Sequence, residues 1–367
     1  MKVPDWIKRL EDTISQWLDT VAVLEQPGRF YPCAGGRTKV GEEAALGFSC
    51  FALRIYYIMG LWERLNVERQ TKWINFIQSF QRQTPPYEGA FIDPPILNHC
   101  SPWLKRAKDI FLKRGHPGLS HMDATCIAET KQAIVTLANV SIKPAIPYKG
   151  IPRTPETLEH YLKEGLNWSR PWAAGGQTAS LAAFIALEAL RFLPASDVAG
   201  LKKTATLFFE KMVDPETGAW YMGRRPSHGE LVNGAMKVLN ALEWLEAPIP
   251  YPERLIDTCL SAPPRSEGCH LVDAVYVLYR CSSVTDHRRK DVQEYCRMVL
   301  QLIRRHYMPD GAFSFFVGHN QTHYYGARIA FPRRQSDIHG TTLLTWAIAM
   351  IKEILELSIP DWNVIRV

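Results

Sequence analysis

Gly89-Ala90-Phe91, Gly218-Ala219-Trp220 and Gly311-Ala312-Phe313 are three copies of one Gly-Ala-aromatic tripeptide in a chain of 367 residues. Each follows a helix-patterned segment and a short polar or proline-containing link: Thr84-Pro85-Pro86-Tyr87-Glu88, Asp214-Pro215-Glu216-Thr217 and Pro309-Asp310. The glycines stand 129 and 93 residues apart. Taken as three periods and two, these separations give a repeat of about 43 to 46 residues, the length of one helical hairpin. Glycine lets the chain reverse, and the aromatic ring re-enters to pack between neighbouring hairpins. Gly35-Gly36 and Gly175-Gly176 lie near other expected turns without the aromatic, and the second pair is placed to open a helix.

Helical periodicity runs along the whole chain, with no convincing period-two alternation. Candidate helices cover roughly 5–25, 42–63, 66–82, 121–138, 155–166, 176–192, 196–212, 228–245, 251–260, 269–282, 287–307 and 338–357. Pro155 after Thr154 and Pro252 after Tyr251 sit at the first helical position, where a missing N–H costs nothing. Twelve helices make six hairpins. An open solenoid suits the period too, but solenoids carry polar capping repeats. Both terminal segments here are apolar (Trp6, Ile7 and Leu10; Ala347 to Leu357), and closure into a ring removes the need for caps. The expected fold is all-α, an (α/α)6 toroid of about six helical hairpins, with residues 1–367 as one domain.

Composition narrows the function. A hydrophobic content of 46% and a charged content of 22% argue for a packed core and against disorder. The net charge of +6 is mild, no Lys/Arg block occurs, and nucleic-acid binding is not expected. The pairs Arg224-Arg225 and Arg333-Arg334 read as surface. No signal core opens the chain, and the longest apolar run, Phe48 to Trp62, is broken by Arg54 and too short for a transmembrane segment. The eight cysteines lack CxxC spacing and several sit in apolar helices, as reduced thiols of a cytoplasmic protein would. No Gly-x-Ser-x-Gly, Walker loop or dinucleotide fingerprint occurs, so no cofactor is expected. The oligomeric state is not legible.

Acid/base residues gather at the starts of apolar helices. Gly268-Cys269-His270-Leu271-Val272-Asp273-Ala274-Val275-Tyr276 places Asp273 before an apolar run, and Ser336-Asp337-Ile338-His339-Gly340-Thr341 places Asp337 and His339 likewise. Ser120-His121-Met122-Asp123 repeats that grammar. An Asp there can simply cap the helix. Alternatively Asp273, His339, Asp123 and Asp337 are catalytic candidates. Trp168 and Trp172 bracket an Arg-Pro and, with Trp220, could stack on a ligand or seal the core. Asn233 and Lys237, four apart on one helix face, could hold an anion or hydroxyl at a cavity rim or face solvent. Tyr276 is a candidate lining residue, and Tyr324 lies in the polar loop Gly318–Gly326, a candidate lid. Asp93 and Glu88 read as solvated turn carboxylates.

The Gly-Ala-aromatic turns, with Phe76-Ile77-Gln78-Ser79-Phe80-Gln81 before the first, resemble the repeats of terpenoid cyclases and protein prenyltransferase β subunits, a superfamily built on this toroid. Leu271 to Tyr276 looks like the prenyltransferase segment in which an Asp, and a Cys two residues later, bind zinc. Asp337 to Thr341 looks like the segment whose His completes that site. Here the thiolate position is Val275, leaving two ligands, too few for tetrahedral zinc, and no metal is expected. The basic residues that precede the Asp in prenyltransferases, and the acidic motifs of class II cyclases, are absent as well. The resemblance implies a central aromatic cavity. It also implies a terpene cyclase-like lyase or isomerase that protonates an apolar isoprenoid, with Asp273 as acid and His339 as partner or base. The rival readings are a carbohydrate-active lyase, hydrolase or epimerase on the same toroid, using Asp273 with Asp123 or His339, and a non-catalytic binding protein.

Overall fold

The structure, a computed structural model, describes residues 3–85, 87–98, 124–359 and 362–367. In chain order the described α-helices are α1 (Asp5–Lys8), α2 (Leu10–Val21), α3 (Lys39–Glu43), α4 (Leu46–Ile58), α5 (Val67–Gln78), α6 (Pro94–Asn98), α7 (Ala124–Asn139) and α8 (Pro155–Glu164). They continue with α9 (Pro171–Leu187), α10 (Ala195–Met212), α11 (His228–Leu245), α12 (Pro252–Leu260), α13 (Gly268–Ser282), α14 (Arg289–Arg304) and α15 (Ile338–Leu355). A two-stranded hairpin, β1 (His323–Tyr324) with β2 (Ala327–Arg328), lies in the long loop before α15.

Six of these helices touch one another in a closed circuit: α4 packs on α7, α7 on α9, α9 on α11, α11 on α13, α13 on α15, and α15 returns to α4. Outer helices cover the circuit. α5 lies on α4, α10 on α9 and α11, α12 on α11 and α13, and α14 on α13 and α15. The expected (α/α)6 toroid is therefore the observed one. Hydrophobic patterning sorts the two rings. Nearly all of α4 is buried, whereas α5 buries only Trp73 and Ile77 along one stripe. A helix apolar on every side has to lie inside, and an amphipathic one can cover it. The same logic explains Pro171–Arg191, which is long and apolar enough to cross a membrane by length and composition, yet is 67% buried within the ring.

The repeated tripeptide is the hinge from outer to inner helix. Gly89, Gly218 and Gly311 have φ of 81°, 70° and 100°, a region that side chains disfavour. The aromatic two residues on then forms an isolated antiparallel bridge with the end of the outer helix: Gln81 with Phe91, Val213 with Trp220, Tyr307 with Phe313. All three rings are fully buried. A fourth copy was hidden by its sequence, since Gly28-Arg29-Phe30 has φ of 93° at Gly28 and the same bridge from Phe30 to Ala22. These turns also interlock the hairpins. A Cβ on Gly28 would stand 2.9 Å from Trp73 of α5, and one on Gly311 would stand 3.1 Å from the Thr13 carbonyl of α2. The last turn thus seats on the first outer helix, which closes the ring.

Two sequence expectations change. α9 begins at Pro171, five residues before the expected start, so Gly175-Gly176 lies inside the helix rather than opening it. The pair is there because α9 and α11 cross closely: a Cβ on Gly175 would meet Lys237 Cβ at 2.7 Å, and one on Gly234 would meet Pro171 at 2.6 Å. Helix α13 begins at Gly268 with Glu267 before it, so Asp273 lies in the second turn and caps nothing.

Candidate functional site

Every inner helix contributes to one open cavity of about 510 Å³ at the centre of the ring. That volume lies within the range of small-molecule sites. Phe51 and Arg54 come from α4, Lys131 and Gln132 from α7, and Trp172 and Gln177 from α9. Helix α11 supplies Lys237 and Asn240, α13 supplies Cys269 and Asp273, and α15 supplies His339 and Trp346. The loop around the β-hairpin closes one side with Phe315, Gln321, Tyr324 and Tyr325.

Asp273 is 4% exposed, and its Oδ2 has no hydrogen-bond partner. Burial pushes its carboxyl up to about 6, with Lys237 pulling the other way. Two further atoms on the same walls are buried without a partner: Gln177 Oε1 and Trp346 Nε1. Buried polar atoms in folded proteins are nearly always satisfied, so three such atoms around one cavity mark it as a place for a polar ligand.

His339 lies between two rings, stacked on Phe51 at 4.5 Å and on Phe315 at 5.1 Å. Its Nδ1 faces Oε1 of Gln321 at 3.1 Å; with the amide in that orientation Nδ1 donates, and Nε2 keeps its lone pair. Burial, reinforced by Arg54 and Lys237, holds the imidazole down to about 3. It is a neutral base at ordinary pH. Asp273 and His339 both line the cavity, but they share no hydrogen bond.

The remaining candidates divide. Lys237, Trp172 and Tyr324 line the cavity, the Tyr324 hydroxyl donating to Gln132 Oε1 at 3.1 Å and Trp172 standing exposed at the rim. Asp337 does not reach it. Its Oδ1 accepts from Gly340 N at 2.7 Å as the N-cap of α15, and its Oδ2 accepts from Phe315 N and Gln321 N at 2.7 and 2.8 Å. Asp337 pins the loop that carries Gln321, and Gln321 orients His339. Trp168 and Trp220 are buried behind the wall, each donating its indole N–H to a backbone carbonyl, of Leu162 and Phe209 respectively. Tyr276 is likewise buried and donates to Glu243 Oε2 at 2.7 Å, while the Asn233 side chain meets His270 Nδ1 at 3.0 Å. Asp93 is no solvated turn residue; its Oδ2 accepts from Ala45 N and Leu46 N at the start of α4. Asp123 lies outside the described residues.

Sequence reading missed Arg54, Lys131, Gln132, Gln177, Asn240 and Gln321. A charged or amide residue inside an otherwise apolar inner helix was the available signal, and Arg54, interrupting the run from Phe48 to Trp62, carried it most clearly. Among the described residues no group of three His, Cys, Asp or Glu side chains converges to hold a metal ion.

No protein-family model and no curated protein matches the sequence. Solved structures do resemble it. One is an inactive variant of the alpha-1,6-mannanase GH76A of Salegentibacter sp. HEL1_6 in complex with alpha-1,6-mannotetrose, at 10% identity and a TM-score of 0.46 over 96% of this chain and 99% of that one. Another is a possible member of the GH105 family from Salmonella enterica serovar Paratyphi A, at 12% identity and a TM-score of 0.40 over 95% and 94%. A third is a glycosyl hydrolase family 88 protein from Bacteroides vulgatus, at 10% identity and 0.42 over 94% and 98%. Likeness at this level concerns the fold and says nothing of chemistry, and the ring itself is established by its own helix contacts.

The expectation of a terpenoid-cyclase-like or prenyltransferase-like enzyme, with an apolar isoprenoid as its small-molecule partner, is corrected. The cavity overturns it, because three basic side chains, one carboxyl and several amides interrupt the apolar wall that a carbocation cascade needs. What the motifs shared with terpenoid cyclases was the toroid and its turns.

Proposed function

We propose that the protein is a carbohydrate-active enzyme, a hydrolase that works by proton transfer in the central cavity. The observation that carries this is the unpartnered carboxyl of Asp273, raised to about 6, on a cavity wall with further unsatisfied donors and acceptors. A sugar supplies both hydrogen-bonding senses at short intervals, and its C–H faces suit an exposed aromatic such as Trp172 at the mouth. In this reading Asp273, half protonated near pH 6 and still carrying its proton in about a tenth of molecules at pH 7, donates to the leaving glycosidic oxygen. His339, held neutral by burial with its Nε2 lone pair uncommitted, accepts a hydrogen bond from the attacking water and orients it, the water's proton passing on to solvent. Gln321 fixes the tautomer, and Asp337 fixes Gln321.

Wild type and Asp273→Asn are incubated with a panel of oligosaccharides while reducing ends are counted. Losing the acid should cut turnover by about 10²-fold or more. Equal turnover in the two proteins removes Asp273 as the acid. A second reading, a non-catalytic carbohydrate-binding protein, draws support from one feature: Asp273 is the one side-chain carboxylate among the described lining residues, where glycosidases ordinarily use two. Binding of an oligosaccharide without turnover by wild type would select it.

A further inference from the structure

Three basic side chains face one cavity whose described lining holds a single side-chain carboxyl, Asp273. Arg54, Lys131 and Lys237 come from three different inner helices, α4, α7 and α11. Arg54 is 8% exposed, and it donates from Nε to Thr136 Oγ1 at 2.8 Å and from Nη2 to the Gln132 carbonyl at 3.1 Å. Neither partner is charged. Lys131 Nζ donates to Asn240 Oδ1 at 3.1 Å, again a neutral acceptor. The stem of Lys237 is fixed at the crossing of α9 and α11, where Gly175 leaves room for its Cβ. None of the three forms an ion pair with a carboxylate among the described residues, whereas Arg280, on the α13–α11 contact, pairs with Glu243 at 2.6 Å.

Arg54 is buried and both lysines are half-buried, a placement that costs desolvation unless a partner offsets it. The three also act on one another. Lys131 is held well below the usual lysine range, first by burial and then by Lys237 and Arg54. A purely structural role would be served better by Met or Gln at positions 131 and 237. Positive potential focused in a concave site is the arrangement that captures an anion.

We infer that Arg54, Lys131 and Lys237 form an anion subsite that receives an acidic group, carboxylate or phosphate, on the ligand of the central cavity. The inference rests on the carbohydrate reading of that cavity, and it makes the ligand an acidic sugar. Lys237 supplies a point charge, Lys131 an amine whose lowered proton affinity an arriving anion would raise, and Arg54 Nη1, which makes no hydrogen bond to the described residues, a directed donor.

The test is calorimetric titration of wild type, Lys131→Gln and Lys237→Gln. The probes are glucuronate and galacturonate, their neutral parents glucose and galactose, the corresponding 6-phosphates, and inorganic phosphate. Wild type should bind at least one acidic sugar about tenfold or more tightly than its neutral parent. Each variant should lose about tenfold toward that acidic sugar and little toward the neutral one. Both variants should melt, without ligand, no lower than wild type, since each removes a basic group from beside the other two. Uronates binding where 6-phosphates do not, or the reverse, identify the acidic group. Equal affinity for acidic and neutral sugars, or an acidic preference surviving in both variants, overturns the inference and leaves the carbohydrate reading standing. Binding of inorganic phosphate, with every sugar failing, keeps the anion subsite and sinks the carbohydrate reading. Failure of all probes overturns both.

Discussion

Gly175 and Gly176 are adjacent in one helix, yet substituting each by alanine should move stability in opposite directions. Both sit inside α9, where alanine in place of glycine gains about 0.8–1 kcal/mol of helix propensity. A Cβ on Gly176 meets nothing within 4 Å, so Gly176→Ala should keep the whole gain. A Cβ on Gly175 would stand 2.7 Å from Lys237 Cβ and 3.1 Å from the Gly234 carbonyl, below any ordinary contact, and both obstacles belong to the rigid part of α11. Overpacking of that kind costs about 1–3 kcal/mol. The crossing is the most extensive helix pairing in the ring, so relief by parting the helices would expose more than it saves. Gly175→Ala should therefore be destabilised by about 0–2 kcal/mol net. At about 2.1 cal/mol/K of unfolding entropy per residue, a chain of this length moves by only about 1 °C per kcal/mol. Thermal midpoints should place Gly176→Ala about 1 °C above wild type and Gly175→Ala at or up to about 3 °C below it. Gly175→Ala melting with or above Gly176→Ala would show that α9 and α11 do not cross at Gly175.

Two further outcomes follow from other parts of the ring. Asp273 has its carboxyl raised by burial from 3.8 to about 6, so it favours the folded state while protonated. That contribution is complete below its unfolded value and is lost as pH rises through about 6, at a cost of about 3 kcal/mol. Asp273→Asn should therefore flatten stability between pH 4 and 7, as denaturant midpoints would read, though Asp93 and Asp337, also raised to about 6, leave part of the slope in place. An unchanged slope would mean that Asp273 is solvated. Thr130 and Thr341 are equivalent in two repeats, each Oγ1 accepting from the turn aromatic's N–H, of Phe91 at 3.1 Å and Phe313 at 3.2 Å. Thr130→Val and Thr341→Val should each cost about 1–3 kcal/mol by leaving that buried N–H unsatisfied, and the two losses should be similar. A loss in one alone would break the equivalence of the repeats.

Much of the ring was legible because it is written in local chemistry. A Gly followed by a buried aromatic marks each outer-to-inner turn, and helices apolar on every side announce an inner ring. The fourth turn escaped because Arg29 replaces the alanine, although the backbone needs only Gly28 and Phe30. Residues at helix starts were harder. Asp273 and Asp337 look alike in sequence, but one stands unpartnered on the cavity wall and the other has both oxygens committed to backbone N–H groups. Trp168 and Trp220 were plausible stacking platforms until their place behind the wall was seen. Arg54 looked like an interruption of an apolar helix until six helices turned it, with Lys131 and Lys237, toward one space.

The sequence by itself determined the helices, their alternation of amphipathic and wholly apolar kinds, and the turns that join them, since each depends on residues within a few positions of one another. Only the tertiary structure decided which polar side chains share the cavity and which are spent on caps and carbonyls. It decided too that the centre of the ring is cationic and hydrogen-bonding rather than apolar. The helices that meet there are separated by up to hundreds of residues, and burial, which sets both the protonation of Asp273 and the repulsion among Arg54, Lys131 and Lys237, is a property of the closed ring and of no segment within it.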